Sequence, residues 1–414
     1  MFKNYNILDK NYIISLIGFF ISIYPLSFLV GSLIINLNTL FIVLLFIIHF
    51  SQKREFSFLN NKFFILLIFL WFSFIVNLYF SINFDNSVTR VIGFLRFIVL
   101  IFGIKLFFEN STNQQKGFVL GAWIIIFGIV SFDLIYEFIF GVNILGFKSY
   151  MPGRLAGFLN EELKIGNFYC AFFLICGVTI FNKTKNIYHL YFFIIFSVLI
   201  SLFIGERSNF IRVFLMSACF LFFFENKNYF KKIIIVIIFS LLTILIINSN
   251  IDYQKRFYGQ FIHPIIKMKS FEEVVNNTVY GANFDRAIKI YQSNKLFGVG
   301  IKNFRTESSN PRYKNKALRF NDQAATTHPH QIHLEILSET GLFGYLSFII
   351  FICYTIFVSF KNYRKEKNLY ILSGLLYFIF SLMPLIPSGS FFTTFGATLF
   401  WINYSFLTFE KKIN

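Results

Sequence analysis

The chain alternates long apolar runs with short polar breaks. Runs such as FFILLIFLWFSFIVNLYFSI, FVLGAWIIIFGIVSFDLIYEFIF and IIIVIIFSLLTILII approach or exceed the roughly 20 residues that carry a helix across a bilayer core. Read at that length, the pattern predicts about twelve spans, near residues 12–30, 32–50, 62–81, 90–108, 118–140, 165–182, 187–204, 208–225, 232–249, 334–359, 369–386 and 391–409. Alternating barrel strands would look different. The expected architecture is an all-α integral membrane protein, one polytopic domain over residues 1–414, with a long loop at about 250–333.

The breaks orient the spans. With the N-terminus in the cytoplasm, QKREFSFLNNK, NKTKN, NKNYFKK, KNYRKEKN and the tail EKKIN fall inside, and each is short and lysine-rich, as the positive-inside rule asks. The turn ENSTNQQKG is nearly neutral and adds nothing. The other side receives NFDNSVTR, GVNILGFKSYMPGRLAGFLNEELK, GERSN, the long loop and PSGS. That loop is basic too, but long loops cross regardless of charge. An even count puts both termini in the cytoplasm. Lys3 and Lys10 precede the first run and no small-residue cleavage site follows, so that run is expected to be retained as a helix.

Composition agrees: 56% of the residues are hydrophobic and 64 are phenylalanine, with a mean hydropathy of +0.64, far more apolar than a soluble domain needs. A formal charge of +18 could suggest nucleic acid. The lysines, however, cluster between apolar runs, where topology explains them, and no nucleic-acid partner is expected. Cys170, Cys176, Cys219 and Cys353 lie in apolar runs without metal-ligand spacing and read as small core residues.

Against this background the stretch TTHPHQIHLEILSETGLFG is unusual, with His328, His330 and His333 at the mouth of a span. The cluster is open to three readings: metal ligands, although HExxH and a further ligand are missing; one catalytic imidazole beside caps; or caps alone. In the long loop, NFDRAIKIYQSNKLFGVGIKNFR puts Arg286 near the start of an amphipathic helix, where a guanidinium fork can meet phosphate oxygens. Arg207, in GERSN, and Arg212 carry charge at a membrane boundary and should face the interior or a wet cavity; Arg207 could instead snorkel or pair with Glu206. Arg96, Asp133 and Glu137 sit in or beside spans. The two acids are four residues apart on one face, as partners for intramembrane arginines or as part of a polar cavity.

Together these pieces resemble the O-antigen ligase and O-antigen polymerase superfamily of bacterial inner-membrane glycan transferases. HQIHLEILSETGLFG is similar to that family's histidine-led signature, with Gln331 where asparagine is commoner. DRAIKIYQSNKLFGVGIKNF resembles its Arg-led loop segment, GERSNF its short "SR" turn, and GRLAGFLNEELKIGN a further stretch, with Glu161 where proline is usual. The likeness covers roughly residues 150–350. It implies a GT-C-like fold and a glycosyltransferase that moves a glycan from an undecaprenyl-pyrophosphate carrier to lipid A core or to a lipid-linked repeat unit, inverting and independent of metal, with no cofactor. By the same resemblance His330 is the catalytic histidine, while Arg207, Arg286 and Arg154 bind the donor pyrophosphate; the site faces the periplasm of the inner membrane. The alternatives are a transporter or flippase of an anionic or lipid-linked solute, which would need binding residues near the midplane, and a membrane zinc protease.

Overall fold

The computed structural model describes residues 10–53, 56–224, 229–263, 266, 270–384 and 386–409. The lysine-rich breaks are therefore only partly visible: residues 54–55, 225–228 and the tail 410–414, like Lys3, lie outside the described residues. The described residues contain no strand, and the protein is an all-α integral membrane protein.

The first expected span is a bent pair, α1 (Lys10–Ser22) and α2 (Tyr24–Val30). It turns by 44° where Pro25 removes an amide and its ring crowds the preceding turn. The bundle continues with α3 (Ser32–Lys53), α4 (Lys62–Tyr79), α5 (Phe84–Asn110), α6 (Asn113–Phe140), α7 (Ile165–Thr184), α8 (Ile187–Phe203), α9 (Arg207–Phe224) and α10 (Tyr229–Ser249). The long connection carries α11 (Ile251–Gln254), α12 (Phe271–Asn277), α13 (Val279–Ser293) and α14 (Phe304–Glu307). The chain then returns through α15 (Ile332–Glu366), α16 (Leu369–Ser381) and α17 (Thr394–Ser405).

Every expected span falls on helix, but not every helix has crossing length. Among the described residues eight are long and apolar enough, and the bent pair makes up to nine. The remaining three, α8, α16 and α17, have 17, 13 and 12 residues. Helix α16 stops at Ser381 rather than near 386. Pro384 biases residue 383 away from helix and offers no amide of its own. Thr393 then caps α17, its hydroxyl accepting from Gly396 N at 3.3 Å, as N-cap threonines do.

Interlocked aromatic rings fill the interior. Trp401, fully buried, meets Phe94, Phe391 and Phe400 at centroid distances of 5.2, 5.7 and 4.8 Å with planes near perpendicular, the edge-to-face arrangement ring quadrupoles favour. The outer surface is apolar as well: Leu33, Leu40 and Leu44 on α3 are exposed, as suits a surface bathed in acyl chains. Cys170 and Cys176 are core residues as expected and Cys219 is half-buried. Cys353 instead lies on the exposed side of α15, where hydrocarbon rather than protein covers an apolar side chain.

Helix-joining segments meet at one end of the bundle. Asp133 Oδ1 accepts from Ile144 N at 2.9 Å, and Glu137 accepts from Ala156 N and Gly157 N at 2.9 and 2.7 Å. The two acids of α6 thus hold the 143–157 loop by its amides rather than pairing with intramembrane arginines. Gly157 has φ of 53°, and Asn143 Nδ2 donates to its carbonyl at 2.8 Å. Glu137→Ala, which strands two buried amides, is expected to lower stability by about 2–4 kcal/mol, with Glu137→Gln milder because an acceptor remains; thermal unfolding of the detergent-solubilised protein checks this.

The LFGVG turn docks on a break in α15. Gly341 has φ of 64° and interrupts the helix. Around it, Val299 N donates to Ser338 O at 3.2 Å, Gly300 N to Glu339 O at 2.8 Å, and Leu342 N to Lys295 O at 2.8 Å. A Cβ on Gly341 would collide with backbone at Leu296 and Gly298, so main chain meets main chain with no room for a side chain. From α4, Asn77 Nδ2 donates to the carbonyls of Phe297 and Glu339. The long loop is thereby fastened to the helix that carries the histidine stretch.

Candidate active site

The three histidines do not act as a set. His333 turns into the bundle, its Nε2 donating to Leu382 O at 2.7 Å, with Tyr345 Oη 3.3 Å from its Nδ1. His328 and His330 stay together with ring centroids 4.2 Å apart. Gln331 caps α15 by accepting from Leu334 N at 3.0 Å, so His330 is the last residue before the cap. Its φ is 56°, a left-handed conformation costing a β-carbon-bearing residue roughly 1–2 kcal/mol.

What holds His330 there is a polar layer beneath it. Its carbonyl accepts from Ser388 N at 2.9 Å. That 386–391 segment is tied to α15 by buried Glu335, which accepts from Ser390 Oγ and, at 2.8 Å, from Phe391 N. Lys302 donates to Ser390 Oγ at 2.6 Å. Burial, helped by the neighbouring imidazole, lowers the His330 pKa to about 4. Burial and Lys302 do the same for His328, also to about 4. Both rings are neutral at pH 7, the form in which an imidazole can accept a proton.

The arginines sort into two groups. Arg154 lies 3.5 Å from Glu206 and donates to Leu163 O at 2.6 Å. Arg207, which begins α9, reaches toward the carbonyl of Arg256 at 3.4 Å. Arg256 donates from Nε to Gly205 O at 3.1 Å and is nearly buried. The partner of Glu206 is thus Arg154, not its chain neighbour. Close packing of glycines brings these strands of loop together: a Cβ on Gly205 would strike the Gly153 carbonyl, and one on Gly153 would lie 2.7 Å from Arg256 Cδ. Arg154, Arg212 and Arg256 all act electrostatically on Glu206. Burial and then repulsion from Arg154 and Arg207 bring Arg256 down to about 10, with Glu206 opposing.

Arg286 stands apart from that cluster. It is 2% exposed; one amino group donates to Ser308 O, and the other to Asn321 O and Oδ1 at 3.2 and 2.9 Å. Burial lowers its pKa, opposed by Asp285. The expectation of a donor-binding fork at Arg286 meets a guanidinium already filled by loop carbonyls, because α13 is covered by the folded loop instead of facing open space. Arg286 does connect to the histidines: Ser308 Oγ donates to Thr326 O at 2.9 Å, and Thr326 Oγ1 to His328 O at 2.9 Å. Arg212 faces the interior, its Nη2 donating to Pro387 O at 3.0 Å.

A link between base and arginines comes from Tyr280 on α13. Its ring centroid is 5.9 Å from that of His330 with planes at 76°, and it interacts electrostatically with Arg207. Tyr280 thus neighbours both the imidazole of His330 and the guanidinium of Arg207.

Residues 171–349 match the O-antigen ligase family. That stretch contains Arg207, Arg256, Tyr280, Arg286 and His330, while Arg154 precedes it. The O-antigen ligase match bears out the resemblance read in the sequence and supports a membrane glycosyltransferase of the ligase or polymerase type. No curated protein is detectably similar to the chain. Arg256 and Tyr280 were missed in the sequence. Arg256 sits in YQKRFYG without a motif, and Tyr280 is one aromatic among many; its one available signal was its place six residues before Arg286 on the same short helix.

Proposed function

We propose that the chain transfers a glycan from an undecaprenyl-pyrophosphate carrier to an acceptor hydroxyl on lipid A core or on a lipid-linked repeat unit, at the periplasmic face of the inner membrane with both termini in the cytoplasm. The observation that carries this reading is the grouping of a neutral histidine with the arginine cluster of Arg154, Arg207 and Arg256, Tyr280 lying next to both His330 and Arg207. Arg207, Arg256 and Arg154 hold the pyrophosphate; Arg286 anchors the loop that presents His330.

The acceptor oxygen attacks C1 of the donor sugar from the side of His330, the C1–O bond to phosphate breaks, and its electron pair stays on the pyrophosphate. The imidazole takes the acceptor proton and later releases it to water. One displacement inverts C1. Arginines fixed before the reaction stabilise the leaving charge without reorganisation, the role a metal ion fills elsewhere. Repulsion among them is relieved when the polyanion arrives.

Deleting the gene in its host and restoring it with wild type, His330→Ala or Arg207→Ala tests the reading, with surface glycan and lipid-linked intermediates analysed side by side. Loss of a ligase leaves long lipid-linked polymer and bare core; loss of a polymerase leaves core bearing a single repeat. An unchanged glycan profile in the deletion strain overturns the proposal.

A further inference from the structure

One face of α13 is a spine for the histidine loop. Asn283, fully buried, accepts from Thr326 Oγ1 at 3.3 Å, and Arg286 holds Ser308 and Asn321. Tyr280 begins the same face, three residues before Asn283, yet it is 40% exposed. Thr278 fixes this end of the helix by accepting from Gly281 N at 2.9 Å. A large aromatic ring, set by a capped helix and left open beside His330, has no structural need of that exposure.

The geometry points to Tyr280 as the platform for the first sugar of the donor, the one whose C1–O bond breaks. This inference rests on the glycosyltransfer reading above. In that reaction C1 is joined to a phosphate held by arginine and approached by an oxygen held at His330, so the sugar ring must sit between them, and Tyr280 neighbours both His330 and Arg207. One face of a pyranose is a patch of C–H groups, weakly positive and apolar, which suits the negative face of an aromatic ring. The same face favours the positive charge that develops at C1 as the bond to phosphate lengthens.

The experiment separates the sugar from the phosphate. In full-length protein carrying His330→Ala to prevent turnover, binding of bare polyprenyl pyrophosphate and of the same lipid bearing one sugar or a short glycan is measured for Tyr280, Tyr280→Phe, Tyr280→Leu and Tyr280→Ala. The expected result is equal affinity of all four for the bare lipid. For the glycan-bearing lipid, Phe binds within about twofold of Tyr, while Leu and Ala lose about tenfold, the upper end for one aromatic contact. Equal loss toward both lipids assigns Tyr280 a structural role and overturns the proposal, as does undiminished glycan-lipid binding by Leu or Ala. If the protein with Tyr280 intact binds neither lipid, the glycosyltransfer reading itself fails; if it binds both and only the variants disagree, that reading stands and the platform falls.

Discussion

Replacing His330 with alanine is expected to lower the rate of transfer by about 10² to 10⁴, the range for removing a general base, while donor binding stays near the wild-type value. His330→Asn is the control for backbone strain. Asparagine tolerates the left-handed conformation better than most residues, so an Asn variant that folds well and is equally inactive assigns the loss to the imidazole. The pH profile adds a second readout. With its pKa lowered to about 4, the base stays neutral through the physiological range, and kcat/KM, which follows the free enzyme, should be flat from about pH 8 to 5 and fall near 4. A bound pyrophosphate favours the charged imidazole, so the acid limb of kcat should lie at higher pH than that of kcat/KM. Stability follows the same sign. His328 and His330 have folded pKa values below their ordinary 6.5, so the unfolded chain binds more protons between about pH 6.5 and 4, and stability should drop as the pH is lowered through that window. A kcat/KM limb near 6.5 would contradict the buried, neutral base.

The spans were legible because a bilayer imposes a length on apolar runs. Their ends were not: the stop of α16 depends on Pro384, and the 44° bend of the first span on Pro25, each a single residue within an apolar run. His330 could be chosen from three histidines through the resemblance alone. The physical reason for the choice is three-dimensional, since His333 is used up by Leu382 and Tyr345 whereas His330 lies next to Tyr280. Asp133 and Glu137 invited pairing with arginine because their charge is visible in sequence and the loop amides they hold are not. Arg286 and Arg256 show the same limit in opposite directions. The first has the better local context and is filled by its own loop; the second has none and joins Arg154 and Arg207 through glycine contacts that only folding makes.

That difference makes the arginines the sharper test. Arg207→Ala and Arg256→Ala should each lower turnover by about 10² to 10³, as loss of one preorganised donor to developing negative charge does, and should weaken binding of bare polyprenyl pyrophosphate as well. Lysine should restore little, because a point charge cannot reproduce the planar fork that meets two phosphate oxygens. Arg286→Ala should behave in another way. It strands the carbonyls of Ser308 and Asn321 and the Asn321 side chain in a buried position, so its main effect is lost stability, about 2–5 kcal/mol for a buried charged group with several hydrogen bonds. Transfer then drops through the loosened Ser308–Thr326–His328 connection. Thermal unfolding alongside donor binding separates the two classes: Arg207 variants with a near-native midpoint and weak binding, and Arg286 variants with a lowered midpoint and binding that returns on cooling. The reverse pattern, with Arg286→Ala stable but unable to bind pyrophosphate, would move the donor phosphate to α13 and require the loop carbonyls to release the guanidinium when the donor enters.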